Sequence, residues 1–263
     1  MRIRIIFRLR NKGAYLPFQH QHLLLNLVES TLHEKLSELK NQLSWNFSGI
    51  KGQTKVGRLG LSYLSSRVTL VMSSPSQLLI DTFLDELFKQ TLIEIGEIIL
   101  TPEFVEQEIT TTFYNAEKYL CLSPLVPSTT IDTNGVENFL SPELLSDILY
   151  DSTMYRMEKS GAYSSEEIEQ FYQFQLIPDK EYLQKIQGIE KKAGRAYSLY
   201  ENGKIVQEII GYTFPFELYA HPRVQEFIFT NGFGEFTQAG YGMLDKATNL
   251  APNRIVPYRA ATS

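Results

Sequence analysis

The stretch Gly232 to Gly242, Gly-Phe-Gly-Glu-Phe-Thr-Gln-Ala-Gly-Tyr-Gly, is the most distinctive part of the chain. Two Gly-aromatic-Gly pairs, Gly232 to Gly234 and Gly240 to Gly242, are separated by five residues. Glycine adopts positive φ at no steric cost and lets the backbone come close to another molecule. Because successive N–H groups in such a loop can form an anion-binding concavity, the stretch predicts a phosphate site. The alternative is a glycine-rich hairpin that serves only the fold.

The common glycine motifs do not explain this stretch. A dinucleotide fingerprint needs a third glycine three residues after the second, where this chain has Thr237. A P-loop ends in Gly-Lys-Ser or Gly-Lys-Thr, and a kinase needs its His-Arg-Asp and Asp-Phe-Gly partners, which the chain lacks. A phosphate bound here would therefore belong to another class of site.

Composition predicts one or two globular domains, since the chain has 263 residues of which 43% are hydrophobic. It has no run of 18 apolar residues, and its start at Met1 to Arg4 lacks the apolar region of a secretory signal. We therefore expect a cytoplasmic protein without a membrane partner. Cys121 is the single cysteine, which excludes an internal disulfide and a multi-cysteine metal site.

Charge is distributed unevenly along the chain. The net charge is −5, but residues 1–67 contain 11 Lys and Arg against 3 Asp and Glu, a local net charge of +8. Residues 68–263 have 14 basic and 27 acidic residues, a net charge of −13. This asymmetry indicates a polyanion-binding region near the N-terminus, the alternative being a basic face that docks on the acidic remainder of the chain or on a partner.

The first 112 residues show the order β-α-β-β-α-β, which is typical of a ferredoxin-like domain. Arg2 to Arg10 alternates, with Ile3, Ile5, Phe7 and Leu9 on one face of a predicted strand and Arg2, Arg4, Ile6, Arg8 and Arg10 on the other. The later predicted elements are a helix over Gln21 to Leu43, a strand over Trp45 to Ile50, a hairpin of Leu59 to Tyr63 with Val68 to Met72, a helix from Ser74-Pro75 to Gln90 with Leu78, Leu79, Phe83 and Leu87 inward, and a strand over Ile95 to Leu100.

Residues 113–247 approximate the same order. The predicted elements are strands over Tyr119 to Val126, Phe171 to Ile177, Arg195 to Tyr200, Ile205 to Phe214 and Gly240 to Leu244, and helices from Ser141-Pro142 and His221-Pro222. We therefore predict an α+β protein of two tandem ferredoxin-like (RRM-like) βαββαβ domains, residues 1–112 and 113–247, with residues 248–263 as a tail.

The glycine stretch resembles the glycine-rich loop of the CRISPR repeat-processing endoribonucleases, the Cas six family of the RAMP superfamily. The basic opening strand, the stretch Ser65 to Ser74 and the stretch Leu122 to Leu125 are similar to family segments at the same places. The resemblance implies two ferredoxin-like domains, RNA held across them, and metal-independent cleavage within CRISPR repeats in antiviral defence. In that reaction the 2′-hydroxyl attacks the adjacent phosphate and leaves 2′,3′-cyclic phosphate and 5′-hydroxyl ends.

Such a reaction needs a base, an acid and positive charge near the phosphate, tasks that suit histidine and lysine. Family members often have a catalytic histidine near the end of the first helix with a lysine soon after. His33 has that local sequence but is predicted to lie in mid-helix, partly exposed. His20 and His22, at the start of the helix, are the alternatives, and chemistry without an essential histidine is a third. Lys51 is the candidate cationic partner.

The predicted RNA-binding residues are the four arginines of the opening strand and residues of a basic turn and the glycine stretch: Arg2, Arg4, Arg8, Arg10, Lys55, Arg58, Gly232, Gly234, Gly240 and Gly242. No metal site and no cofactor are predicted, because the pair His20 and His22 has no Cys or clustered carboxylate to complete it.

Three functions remain open at this point. The first is a hydrolase-class endonuclease acting on CRISPR repeat RNA, with effector-complex subunits as further candidate partners and a monomer or homodimer as its state. The second is a repeat-RNA-binding subunit of the same superfamily that does not cut. The third is a small-molecule phosphate-ester hydrolase on a ferredoxin-like fold, which the basic N-terminal region disfavours.

Overall fold

The computed structural model describes residues 1–33, 35, 44–109, 112–127, 141–187, 194–201, 203–247 and 255–258. The chain divides into two compact units. The first unit contains Met1–Thr111, Gln238–Gly240 and Ala251–Ser263. The second unit contains Thr112–Thr237 and Tyr241–Leu250.

Both units contain strands and helices. Residues 1–109 contain β1 (Arg2–Leu9), β2 (Tyr15–Pro17), α1 (Gln21–Leu32), β3 (Asn46–Phe47), β4 (Thr54–Val56), β5 (Gly60–Tyr63), β6 (Arg67–Ser73), α2 (Gln77–Leu87), β7 (Ile93–Ile95) and β8 (Ile98–Glu108). The later described residues contain β9 (Ala116–Cys121), α3 (Pro142–Lys159), α4 (Ser165–Glu169), β10 (Phe174–Pro178), α5 (Lys180–Gln187), β11 (Gly194–Glu201), β12 (Lys204–Tyr212), β13 (Phe216–Ala220), α6 (Pro222–Asn231), a 3₁₀ turn (Thr237–Ala239), β14 (Leu244–Lys246) and β15 (Ile255–Pro257).

The main sheet of the first unit has the ferredoxin-like strand order. Its neighbours run β8-β1-β6-β3, and all of these pairs are antiparallel. In βαββαβ order these are the fourth, first, third and second strands, with α1 and α2 as the connecting helices. β7 and β15 also pair with β8, so residues 255–257, inside the segment predicted to be a tail, form an edge strand.

The period-two pattern of β1 directs its apolar residues into the core. Ile3, Ile5, Phe7 and Leu9 are buried with side chains from both helices, among them Leu24, Val28 and Leu32 of α1 and Leu79, Phe83 and Leu87 of α2. Successive strand side chains point to opposite faces, so the same pattern places the arginines on the other face of the sheet. Arg2 and Ile6 are nevertheless buried as well.

Several predictions for the first unit were wrong. α1 ends at Leu32, so His33 is its C-cap and not a mid-helix residue; the remainder of the predicted helix, residues 34 and 36–43, lies outside the described residues. The N-cap of α2 is Ser76, whose Oγ accepts from the Leu79 N–H at 3.2 Å, and Leu78 is exposed.

The predicted hairpin of the first unit is also wrong. β5 pairs with β2 and β4 in a separate three-stranded sheet, whereas β6 lies between β1 and β3. Both strands alternate regularly, and their local patterns do not specify which partners they take.

The sheet of the second unit has the same order. Its strands run β10-β13-β9-β14, again the second, third, first and fourth strands of a βαββαβ unit. The predicted caps are confirmed: the Ser141 Oγ accepts from the Leu144 N–H at 3.2 Å, and the His221 Nδ1 accepts from the Arg223 N–H at 3.2 Å. Together the two units confirm an α+β fold of two ferredoxin-like domains.

The third core strand of the second unit was not predicted. It is β13, a five-residue strand that follows Pro215. The predicted strands over 195–214 correspond to β11 and β12, which form a separate two-stranded sheet. Tyr212 at the end of β12 also bridges to Leu125. The two strands meet at the pair Glu201 and Lys204, and Asn202 lies outside the described residues.

Backbone packing explains the glycines of the stretch at 232–242, hereafter the glycine-rich loop. Gly234 and Gly242 have φ of +81° and +70°, a region that side chains disfavour. A Cβ at Gly242 would lie 1.9 Å from the Phe233 carbonyl oxygen, and one at Gly234 would lie 2.2 Å from that of Val126. No other residue fits at these positions without moving the backbone.

We expect Gly242→Ala to destabilise the second unit more than Gly203→Ala. Gly203 has a similar φ of +74°, but a Cβ at this position would have no other atom within 4 Å. Gly203→Ala should cost about 1–2 kcal/mol for the left-handed backbone alone. Gly242→Ala should add about 1–3 kcal/mol of overpacking. Urea unfolding of both variants measures the difference; equal costs would show that the loop backbone yields easily.

Candidate functional site

Three N–H groups of the glycine-rich loop donate to carbonyl groups within the protein. Phe233 N–H donates to the Gly242 carbonyl at 2.8 Å, and Glu235 N–H donates to the Val126 carbonyl at 2.7 Å. Gly242 N–H donates to the Pro124 carbonyl at 2.7 Å. These three groups therefore do not form the anion-binding concavity that the sequence suggested. Pro124, within the stretch Leu122 to Leu125 that shared the family resemblance, and the following Val126 are instead the loop's structural partners.

Arg156 on α3 supports the other side of the loop and was missed by sequence reasoning. Its Nη2 donates to the Asn231 carbonyl at 2.7 Å, and its Nη1 donates to the carbonyls of Gly232 and Gly234, each at 2.9 Å. Nη2 also donates to the Thr237 Oγ1 at 3.1 Å. Burial lowers the pKa of Arg156 to about 10, opposed by the charge of Glu235, so the guanidinium remains charged at neutral pH.

The segment Gln238–Gly240 groups with the first unit and is held there by side chains. Trp45 Nε1 donates to the Gln238 carbonyl at 2.9 Å, and Gln21 Nε2 donates to the Gly240 carbonyl at 3.0 Å. A Cβ at Gly240 would lie 2.2 Å from the Phe47 ring. Gly232, Gly234, Gly240 and Gly242 are all buried, whereas Gln238 is exposed.

His20 lies at the N-cap of α1 and is 6% exposed. Its Nδ1 lies 2.8 Å from the Pro17 carbonyl oxygen, and its buried Nε2 has no hydrogen-bond partner. Nε2 faces Gly49, where a Cβ would lie only 3.0 Å away. Burial lowers the pKa of His20, and the nearby charge of Lys51 lowers it further, against the opposing effect of the Pro17 carbonyl. His20 is thus a neutral imidazole enclosed by protein.

Lys51 is not on a flexible turn. Its backbone exchanges hydrogen bonds with Thr69, each of 2.8 Å, in an isolated bridge beside the main sheet. Lys55 lies on β4 and Arg58 in the turn that follows, and both are exposed. The hairpin of β4 and β5 therefore presents two basic side chains to solvent.

His33 is exposed at the other end of α1. It lines an open pocket of about 480 Å³ together with Lys35, Glu86, Lys89 and other polar side chains. Lys89 Nζ donates to Glu86 Oε1 at 2.8 Å. The pocket thus combines one accessible imidazole with two lysines, which are the residue types that acid–base chemistry at a phosphate requires.

The two sets of candidate catalytic residues lie at opposite ends of one helix. At 1.5 Å per residue, the 13 residues from His20 to His33 separate their Cα atoms by about 20 Å. They cannot act on the same phosphate. His22 belongs to the His20 end and is only partly buried; its pKa is lowered by that burial, against the effect of the Gln19 backbone.

Arg2 and Arg4 of β1 form ion pairs with one carboxylate. Arg2 Nε lies 2.9 Å from Glu108 Oε2, and Arg4 Nε lies 2.7 Å from Glu108 Oε1. The side chains of Arg2 and Glu108 are 4% and 2% exposed. Removing one partner of a buried ion pair leaves an uncompensated buried charge. We therefore assign these contacts mainly to the stability of the sheet.

Arg8 on β1 and Arg10, which directly follows the strand, are both exposed. Arg8 Nε donates to Glu103 Oε1 at 2.9 Å, and Arg10 Nε donates to Thr101 Oγ1 at 2.9 Å; both acceptor residues are half-buried. Glu103 also pairs with Arg67; hydrogen bonds from Arg67 and then Arg8 lower the pKa of its carboxyl group. Ion pairs of exposed arginines contribute little to stability, so replacing these acceptors by another anion would cost little.

Within the described residues, no group of three His, Cys, Asp or Glu side chains is placed to hold a metal ion. None of the described helices has the length and apolar character needed to span a membrane.

Acid should destabilise the first unit through His20. Its folded pKa is lowered, so its contribution to stability is complete above the unfolded value of about 6.5. As the pH falls below that value, the unfolded chain binds a proton that folded His20 rejects, and the free energy of unfolding declines.

His20→Asn keeps a donor for Pro17 and removes the titration, so stability should decline less steeply between about pH 6.5 and 5. Urea unfolding at several pH values measures this slope. His22→Asn is the matched comparison and should remove a smaller part of it, since His22 is less buried. A His20→Asn slope equal to that of the unmodified chain would contradict the burial argument.

A family model and several solved structures are similar to this chain. The family model described as CRISPR associated protein Cas6, C-terminal, matches residues 106–246, more than half of the chain. A solved Cas6-related protein from Pyrococcus furiosus is 20% identical with a TM-score of 0.75, over 95% of this chain and 99% of its own. A structure described as an RAMP protein binding different RNA substrates is 19% identical with a TM-score of 0.73, over 94% and 99%.

A third structure, described as CRISPR associated protein Cas6, is 15% identical with a TM-score of 0.71, over 94% of this chain and 98% of its own. No curated protein sequence matches the chain. At these identities the solved structures show the shared fold, and the family model shows the relationship. The chain belongs to the Cas6 family of CRISPR-associated proteins.

Proposed function

We propose that the protein is an endoribonuclease that cuts CRISPR precursor RNA within its repeats without a metal ion. Membership of the Cas6 family supports a role in processing or binding CRISPR repeat RNA. The observation that carries the cleavage step is the exposed His33 at the end of α1, in a pocket shared with Lys35 and Lys89. The resemblance implied a catalytic histidine followed by a lysine at this point.

The chemistry is an in-line transfer within the RNA. The 2′-oxygen forms a bond to phosphorus as the bond from phosphorus to the 5′-oxygen breaks. A base accepts the 2′-hydroxyl proton, and an acid supplies a proton to the leaving 5′-oxygen. His33 takes one of these two roles, and Lys35 and Lys89 stabilise the negative charge that develops on the phosphate oxygens. The products are a 2′,3′-cyclic phosphate and a free 5′-hydroxyl.

His20 is a poorer candidate for the same role. A base must come within about 3 Å of the proton that it abstracts. His20 is enclosed by the backbone of Gly49 and Pro17, so RNA cannot reach its Nε2 while this packing holds. Lys51 lies near that end of the helix. We assign it to RNA binding or to stabilising negative charge on the RNA, and not to proton transfer.

Phosphate contacts are assigned to the accessible basic residues of the first unit. These are Arg8 on β1, Arg10 directly after it, and Lys55 and Arg58 on the β4–β5 hairpin. Arg2 and Arg4 contribute mainly by fixing Glu108 and the end of the sheet. The glycine-rich loop contributes through its shape and its exposed Gln238, because its glycines are buried.

We expect His33→Ala to slow single-turnover cleavage of the cognate repeat RNA by roughly 10²–10⁴-fold. Its stability should change by less than about 0.5 kcal/mol, because His33 is exposed. Excess chelator should leave the wild-type rate intact, and a single 2′-deoxy sugar at the cut site should block cleavage but not binding. Asn26→Ala, an exposed change on the same helix, is the matched control and should cut normally.

Other outcomes separate the alternatives. Loss of cutting in His20→Ala or His22→Ala, with His33→Ala active, would move the chemistry to the other end of α1. Cleavage of the 2′-deoxy substrate would contradict the proposed mechanism, because that substrate has no 2′-hydroxyl to attack the phosphate. A wild-type protein that binds its repeat but never cuts it would establish the non-catalytic RNA-binding subunit instead.

A further inference from the structure

The side chain of Arg156 donates four hydrogen bonds to the glycine-rich loop and to Asn231 directly before it. Its four hydrogen bonds all end within residues 231–237, at 2.7–3.1 Å. Three of the acceptors are main-chain carbonyls, and one of these, Asn231, is the last residue of α6. A cation near a helix C-terminus is favourable because the final carbonyls lack partners within the helix.

We infer that Arg156 is a positioning residue for RNA binding, which holds the glycine-rich loop in its binding conformation without touching the RNA. The inference rests on the proposed function, since it assumes that the loop contributes to the RNA site. The inference assigns to Arg156, on α3 of the second unit, control of the fraction of the protein in which the loop has its RNA-binding conformation.

The geometry requires a guanidinium. Two terminal nitrogens at fixed spacing serve three carbonyls and the Thr237 hydroxyl, which is a planar fork of donors that the single ammonium of lysine cannot reproduce. The guanidinium also lies 5.5 Å from the centre of the Phe227 ring, which fixes it against α6. One cation thus connects α3, α6 and the loop.

A second contact comes from the same face of α3. Ser152 is four residues before Arg156, so the two side chains project on the same side of the helix. The Ser152 hydroxyl donates to Glu235 Oε1 at 2.7 Å, and Glu235 lies at the start of the loop's more accessible part. The face formed by Ser152 and Arg156 therefore holds the loop from Asn231 to Thr237.

A purely structural role predicts a different result. If Arg156 mainly stabilised the second unit, its loss would loosen the sheet of β9, β10 and β13 as well. The contacts argue for a local effect, because none of the four acceptors belongs to that sheet.

Loss of Arg156 should instead lower the fraction of the protein in which the loop has its binding conformation. If that fraction falls to a tenth, the apparent affinity for RNA falls about tenfold.

The test compares Arg156→Met, which keeps the length and removes the donors, with Arg156→Lys, which keeps the charge. Arg223→Met is the matched control, since Arg223 pairs with Glu167 and lies over the Tyr163 ring, away from the loop. Hydrogen exchange of the free proteins reports the loop amides of Glu235 and Tyr241, and titration with the cognate repeat RNA reports affinity.

We expect Arg156→Met to speed exchange in residues 232–242 while β10 and β13 keep their protection. Its dissociation constant for RNA should rise about tenfold, with Arg156→Lys between it and the wild type and Arg223→Met unchanged. Wild-type exchange in the loop, or faster loop exchange with wild-type affinity, would overturn the inference. Loss of protection across the whole unit would show a structural role instead.

The experiment also separates this inference from the proposed function. If the wild type binds RNA without cutting it, catalysis fails but the affinity comparison still decides the role of Arg156. If the wild type binds its RNA and Arg156→Met binds it equally well, only the inference fails. If the wild type does not bind repeat RNA, both are refuted.

Discussion

The glycine-rich loop depends on one steric constraint, the approach of backbone to backbone at Gly234 and Gly242. A Cβ would lie 2.2 Å or less from a carbonyl oxygen at either position. This approach lets Glu235 and Gly242 donate to the carbonyls of Val126 and Pro124. Arg156 completes the arrangement by binding carbonyls of the same loop. Two segments more than 100 residues apart in sequence are thus joined through glycine, and the loop has little freedom to rearrange.

Burial also distinguishes the candidate catalytic residues of the first unit. The helix α1 has a histidine at each end, and the two differ in access. His20 is enclosed because Gly49 provides room for its imidazole, and burial lowers its pKa. His33 is exposed beside Lys35 and Lys89, where a phosphate could be reached. The arginines of residues 2–10 are divided similarly: Glu108 pairs with Arg2 and Arg4, whereas Arg8 and Arg10 are exposed.

The sequence predicted what local patterns determine. Alternation located β1, Ser141-Pro142 located the start of α3, and the element order identified the ferredoxin-like class. It missed what long-range contacts determine. Arg156 reaches partners 75 to 81 residues away, and no local pattern distinguishes it from a solvated arginine. The pairing of β5 and the burial of His20 depend equally on distant segments. The sequence correctly identified the glycines of the loop as important. It suggested that they leave N–H groups free for an anion, whereas the structure shows that they allow close backbone packing.

The most direct test of this account is a titration of ¹⁵N-labelled protein with inorganic phosphate, followed through the amide resonances of Phe233, Glu235 and Gly242. These amides donate to protein carbonyls at 2.7–2.8 Å, so the account predicts that millimolar phosphate leaves their shifts unchanged. Saturable shifts at these three amides would contradict it, because they would show that the glycine-rich loop binds anions through its N–H groups.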